Sequence, residues 1–405
     1  MKKIFFLIVI FYQIIICSCQ TNDKSVGKGL SKAKIQEYQK SIDKYTKAIE
    51  ANSRDYISYY NRGTLKYNLQ DFKGAIEDYN KAIEINPNMG TAFNNRGLAK
   101  HALKDYQGAL KDYDTAIKIN PGDEFPYYNR GHLKSELKDS IGAIEDYTSA
   151  IHINPKNAAA YHNRGNVKSD LHNYQDALSD YNKSIEINPD TAIAYRNRGF
   201  AKKELQDFKG AIVDETKAIE MNQNDSEAFY DRASAKQGLK EYDGAIVDFT
   251  KALELNPGYE RAYSHRAECK KAIRDYNGAI EDYNKSIGIN DKNADSYLNR
   301  GNVKSALQDN KGAIKDYNKA LEINSSIPIT YFNRGTAEFG LQDYKIALED
   351  FNKAIEKDPT YAVFYNNRAM AEIALVQKEN GCKDLKKAEE LGFEDAKKAI
   401  KQYCK

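Results

Sequence analysis

Apolar positions fall on two alternating helical faces, and the pair of faces returns every 34 residues. Ser58, Arg62, Leu65, Leu69 and Phe72 are spaced 4, 3, 4 and 3 apart, which puts them on one stripe of a helix. Ala75, Ile76, Tyr79, Ala82 and Ile83 share one face of a second helix and recur as Ala109, Leu110, Tyr113, Ala116 and Ile117. Asp71-Phe72 marks the turn between the halves. Asn86-Pro87 closes the unit, because proline cannot continue a helix and forces the residue before it out of helical geometry. The pattern predicts two helices per unit, each of about 13 to 16 residues, with short connections.

The register is kept without insertion. Arg62 returns as Arg96, Arg130, Arg164, Arg198, Arg232, Arg266, Arg300, Arg334 and Arg368, and an aromatic precedes each by three residues. A unit repeated in register must stack on itself. The chain therefore reads as one all-α solenoid, whose function lies in the surface that the stack makes. Gly63, Ala75 and Ala82 are small at fixed places and let two helices approach closely. Ala233, Ala267 and Ala369 replace the glycine and stay small.

Small Gly63, Ala75, aromatic Tyr79, Ala82 and Pro87, preceded by Tyr59, resemble the tetratricopeptide repeat (TPR) in spacing and period. The resemblance covers residues 23–395. It implies a right-handed superhelical solenoid of about eleven units, with first helices lining a concave face that holds ligands. The unit at 22–55 is degenerate: Lys28-Gly29 stands for Arg-Gly, while Ile42, Tyr45, Ala48 and Ile49 keep the second-helix face. The array proper spans 56–393, and 394–405 reads as a capping helix.

One departure needs an account. The family prefers leucine where Arg62 stands, and an unpaired charge on an apolar stripe is costly. Asp78, Asp112, Asp146, Asp180 and Asp214 recur at the same period, as do the later aspartates through Asp384. A ladder pairing Arg62, Arg96, Arg130, Arg164 and Arg198 with these aspartates is expected. Whether each pair lies within a unit or between neighbours stays open. An acidic ligand for the arginines is the alternative.

Composition argues against nucleic acid. The formal net charge is +3, the charges alternate in sign, and no basic stripe forms. The N-terminus is different. Lys2 and Lys3 precede an apolar run from Ile4 to Ile16, too short to span a bilayer, which takes about 20 residues. Ile16-Cys17-Ser18-Cys19 resembles the bacterial lipobox. The resemblance implies a signal peptide at 1–18, a lipid anchor on Cys19, a polar tether at 19–28, and export to the cell envelope. Gln20 in place of aspartate favours the outer membrane, on its periplasmic side. An ordinary signal peptide and an uncleaved helix are the alternatives.

Catalytic motifs are absent: there is no HExxH, P-loop, GxSxG or Cys-x-x-Cys. No enzyme activity and no cofactor or resident metal is expected. His101, His132 and His162 come from three successive units and read as polar groove lining; a metal or acid–base cluster is the alternative. Glu215 stands at the Tyr79 position, as a soft spot or paired with a base such as Arg196 or Lys217. Cys269 reads as a buried apolar residue. Cys382 and Cys404 are placed to bridge the last second helix to the cap.

The residues just before each arginine form the candidate groove: Tyr60-Asn61, Asn94-Asn95, Tyr128-Asn129, His162-Asn163, Arg196-Asn197, Tyr230, Asn299 and Phe332-Asn333. An asparagine side chain both donates and accepts, which suits a peptide backbone, and tyrosine or phenylalanine offers a flat platform. Bonding between neighbouring helices is the other use of that row. The reading is a membrane-anchored scaffold for a protein or peptide partner. A glycan-binding or enzyme-accessory lipoprotein and a structural bridge in the envelope are the alternatives.

Overall fold

The computed structural model describes residues 30–404. The expected signal peptide at 1–18, Cys19 and the tether at 19–28 lie outside the described residues. All regular structure among the described residues is α-helical. No described helix is long and apolar enough to cross a membrane.

The packing divides after Leu205. In the first unit, α1 (Lys32–Ala51) precedes four helix pairs: α2 (Tyr56–Asn68) with α3 (Phe72–Ile85), α4 (Gly90–Ala102) with α5 (Tyr106–Ile119), α6 (Glu124–Glu136) with α7 (Ser140–Ile153), and α8 (Ala158–Asp170) with α9 (Tyr174–Ile187). Helix α10 (Ala192–Glu204) ends it. The second unit opens with α11 (Phe208–Met221). Then come α12 (Ser226–Gly238) with α13 (Tyr242–Leu255), α14 (Glu260–Ala272) with α15 (Tyr276–Ile289), and α16 (Ala294–Ala306) with α17 (Asn310–Ile323). The last pairs are α18 (Pro328–Gly340) with α19 (Tyr344–Lys357) and α20 (Ala362–Ala374) with α21 (Lys378–Glu390), and α22 (Asp395–Tyr403) closes the chain.

The turn between α2 and α3 is built by two residues, a construction repeated in most pairs. Gln70 takes the left-handed conformation (φ 64°), and the Asp71 amide bonds back to the Lys66 carbonyl at 2.9 Å, satisfying the end of α2. The Asp71 carboxylate then caps α3 by accepting from the Gly74 amide at 3.0 Å. Inside a pair, Ala75, Tyr79 and Ala82 are fully buried. The glycine is needed for close approach: a Cβ on Gly97 would lie 2.6 Å from Tyr113 Cε1. Glu215 takes the tyrosine position in α11 and is fully buried.

Within each unit, first helices of successive repeats touch, whereas second helices make no comparable contact. The first helices therefore line the inner side of the curve.

The first repeat departs from the expected helix pair. Its described part is one unbroken 20-residue helix, α1, capped by Ser31. Glu37-Tyr38 stands where Asp71-Phe72 makes a turn elsewhere, and here the helix runs straight through. Its buried face still includes Tyr38 and Ile49. At the other end α22 buries Ala396, and Cys382 is disulfide-bonded to Cys404.

Candidate functional site

The arginine series is folded into the stack. Arg62 Nε donates to Asp78 Oδ2 at 2.9 Å and Nη2 to Oδ1 at 2.6 Å. The same fork joins Arg96 to Asp112, Arg130 to Asp146 and Arg164 to Asp180, and in the second unit Arg232 to Asp248 and on to Arg368 with Asp384. The third nitrogen reaches back to the preceding repeat. Nη1 donates to Thr46 from Arg62, to Asn80 from Arg96, to Thr148 from Arg164 and to Asn182 from Arg198. The aromatic three residues earlier lies under each guanidinium, as Tyr59 does under Arg62 at 5.6 Å. Asp78, Asp112, Asp146, Asp180 and Asp214 are all buried. The fork within a repeat and the reach to its neighbour leave these arginines little to offer a ligand.

Lysines complete the ladder. Lys66 Nζ lies 2.8 Å from Asp78 Oδ2, and Lys100, Lys134 and Lys168 repeat the contact. Their signal was available: they recur four residues after each arginine. The series fails only in α18 and α20, where Glu338 and Glu372 stand.

The row before the arginines interlocks across repeats. Asn95 Nδ2 donates to Tyr60 Oη at 3.0 Å, Asn129 Nδ2 to Asn94 Oδ1 at 2.9 Å, and Asn163 Nδ2 to Tyr128 Oη at 2.9 Å. Asn197 Nδ2 donates to Asn166 Oδ1 at 2.8 Å and sits 3.4 Å from His162 Nε2; Asn333 Nδ2 likewise donates to Asn302 Oδ1. Tyr128 and Tyr230 are buried rather than presented as open platforms. Each packs on the aromatic of its own second helix, Tyr147 and Phe249, because the side chain at this place turns toward that helix. Phe332 packs the same way on Phe351. Asn94 and Asn95 are also buried, while Asn61, Arg196 and Asn299 are partly covered. Burial, with Arg196 nearby, pulls His162 down to about 4.

The open surface is set by different residues. A cavity of about 390 Å³ lies among α6, α8 and α10, backed by Tyr147 and Tyr181. Asn163 and Asn197 of the expected row line it, together with His132, Ser135, Asn166, Ser169, Asp170 and Phe200. The added residues follow the arginines by 2, 5 or 6. Their signal was variation between repeats: the position two after the arginine holds Thr64, Leu98, His132, Asn166 and Phe200 in turn. The lining is rich in amides and hydroxyls, with one exposed carboxylate and no cationic side chain.

Models of the tetratricopeptide repeat match residues 56–89, 91–123, 158–191, 226–259 and 328–361, and a second set matches 126–157, 260–293 and 294–327. The chain belongs to the tetratricopeptide-repeat family. The TPR that carries Glu215 and the last TPR fall outside these matches. Among solved structures, the C-terminal part of a TPR repeat-containing protein from Cytophaga hutchinsonii is 19% identical over 58% of this chain and 97% of its own, with a TM-score of 0.50. A TPR protein from Parabacteroides merdae is 22% identical, covering 64% and 98%, at a TM-score of 0.47. YrrB, described as a TPR protein with an unusual peptide-binding site, is 24% identical, covering 46% and 96%, at 0.42. The likeness to the Cytophaga hutchinsonii structure is one of fold alone. No curated protein matches the chain.

The TPR surface also gathers titratable groups. His101 Nε2 lies 2.7 Å from Glu136 Oε2, and Tyr106 Oη donates to Glu136 Oε1 at 3.0 Å. The His132 ring is 5.9 Å from that of His101. The bond to His101 holds the Glu136 carboxyl below its usual range. The protein atoms crowding His132, and His101 beside it, push its imidazole down. His162 stands apart from this group. His172 lies in a left-handed turn against Tyr174. Burial pushes the Cys269 thiol up to about 12, in keeping with a packing role.

Proposed function

We propose that this TPR array is an exported, lipid-anchored scaffold that holds a protein or peptide ligand against its first-helix surface. The cavity among α6, α8 and α10 carries the reading. Its amides and hydroxyls can serve both the N–H and C=O groups of an extended backbone, and Asp170 adds a place for a basic residue. The ladder, by contrast, is committed to the fold. The scaffold role assigns no catalysis to the chain. The anchor rests on Ser18-Cys19 and places the array at the envelope, on the periplasmic side of the outer membrane.

The test is affinity capture from solubilised envelope with the native chain and a Ser169→Ala, Asp170→Ala, Asn163→Ala variant that still melts cooperatively. A partner held by the native chain and lost from the variant supports groove binding. Identical sets from both place the working surface elsewhere. Cys19→Ser should release the protein from membranes and abolish lipid labelling; retention on membranes would remove the anchor from the proposal.

A further inference from the structure

We propose that His101, His132 and Glu136 bind one divalent ion of the zinc class between the first helices α4 and α6. One ligand atom from each of the three residues lies within 4.8 Å of the others. Two imidazoles and a carboxylate are the donor set of open zinc sites, which keep a fourth position for water or a ligand group. His132 and Glu136 are four residues apart on α6, so they project from one helical face, as paired zinc ligands on a helix do. His101 comes from the preceding repeat, and the stack fixes its distance from α6. Zinc bonds of about 2.0–2.2 Å need donor atoms somewhat over 3 Å apart. The His101–Glu136 contact must open from 2.7 Å and His132 must close in. Both ligands on α6 are exposed, and the solvent side leaves room for that adjustment.

An outer shell is already present. Tyr106 Oη holds the second oxygen of Glu136, and its ring meets the edge of His101 at 5.7 Å. Such contacts orient metal ligands. Recurrence separates this trio from the structural residues. The ladder repeats through the array, whereas the His132 position holds Leu98 in the repeat before and Asn166 in the repeat after. Packing has no need of a histidine there. His132 also lines the cavity, so a bound ion would sit at its wall.

The experiment is calorimetric titration of the full chain, stripped by chelator and free of any tag, with Zn²⁺. It is repeated with His132→Ala and Glu136→Gln, which keep every cysteine. The native chain should bind one ion more than either variant, and Co²⁺ should give a tetrahedral visible spectrum only with the native chain. Tyr106→Phe should weaken binding about tenfold, and His172→Ala should leave it unchanged. Zn²⁺ should raise the melting temperature of the native chain and not of the variants. Equal stoichiometry and affinity in native, His132→Ala and Glu136→Gln proteins would overturn the site and leave a plain His101–Glu136 hydrogen bond. If a variant melts abnormally, His132→Asn supplies the same comparison.

Discussion

Arg164 grips Asp180 with two parallel hydrogen bonds, 2.9 Å from Nε to Oδ2 and 2.6 Å from Nη2 to Oδ1. Its Nη1 donates to Thr148 of the preceding repeat at 2.9 Å. One guanidinium thus ties together the two helices of its own repeat and the neighbour behind. Arg164→Leu leaves a buried aspartate with Lys168 as its remaining charged partner, 2.7 Å away. The expected loss is about 2 kcal/mol, because the fork's charge-assisted hydrogen bonds go while Lys168 still offsets part of the buried charge. Adding Asp180→Leu to the same chain should recover much of it. Urea melts of the single and double variants check this; an unchanged single variant would mean that the ladder contributes nothing.

The ladder changes character near the C-terminus, and that gives a pH dependence. Glu372 occupies the lysine position four residues after Arg368, is buried, and has no hydrogen-bond partner at Oε2. Burial first, then the charge of Asp384, raises its carboxyl to about 7, with Arg368 opposing. Between the unfolded value of 4.5 and about 7 the folded chain binds more protons than the unfolded chain. Stability there must fall as pH rises. The loss between pH 4 and pH 8 is on the order of 1–3 kcal/mol for this one group, solvent screening reducing it from the full value. Glu372→Gln should flatten the dependence and leave the last repeats firmer at pH 8. Amide exchange of α20 and α21 at both pH values measures it, and parallel curves for native and variant would refute the assignment.

These two cases show what periodicity does and does not carry. Helix pairs were legible because a 34-residue period with Asn-Pro stops admits few other folds. The 16-residue spacing of arginine and aspartate points to the pairs themselves; it does not say whether each lies within a repeat, since one guanidinium serves its own repeat and the previous one. The lysines four residues after the arginines carry the same period, but the period alone does not say that each shares its arginine's aspartate. The cavity takes Asn163 and Asn197 from the expected row and adds residues about one helical turn further on. Tyr128 and His132 are four residues apart on one face of α6, and the Tyr147 ring is what covers the first of them. Likewise Glu37 does not announce that α1 runs straight, because Glu241 at the same place in a later repeat sits in an ordinary turn.

Val376 is the turn residue of the last repeat and sits in left-handed geometry at φ 62°. Its counterparts are Gln70, Lys104 and Lys138, none of them β-branched. A branched Cβ crowds the backbone there, and the left-handed region costs an ordinary residue about 1–2 kcal/mol. Val376 is 89% exposed, so its side chain gains little burial in return. Val376→Asn should stabilise the C-terminal repeats by about 1 kcal/mol, since asparagine tolerates this conformation. A melt with no gain would show that the turn relaxes at no cost.

The disulfide between Cys382 and Cys404 fastens a cap that is weak by itself. Helix α22 has nine residues and buries only Ala396 fully, too short and too poorly packed to persist alone. The bond closes a 22-residue separation, and loop entropy of that size is worth about 3 kcal/mol. Reduction, or Cys404→Ser, should therefore fray α22 and open the end of α21 while distant repeats stay protected, because stability in a solenoid passes between neighbours. Amide exchange along the chain under oxidising and reducing conditions gives the test. Faster exchange confined to the last helices is the expected result. Unchanged exchange in α22 would mean that its contact with α21 holds the cap without the bond.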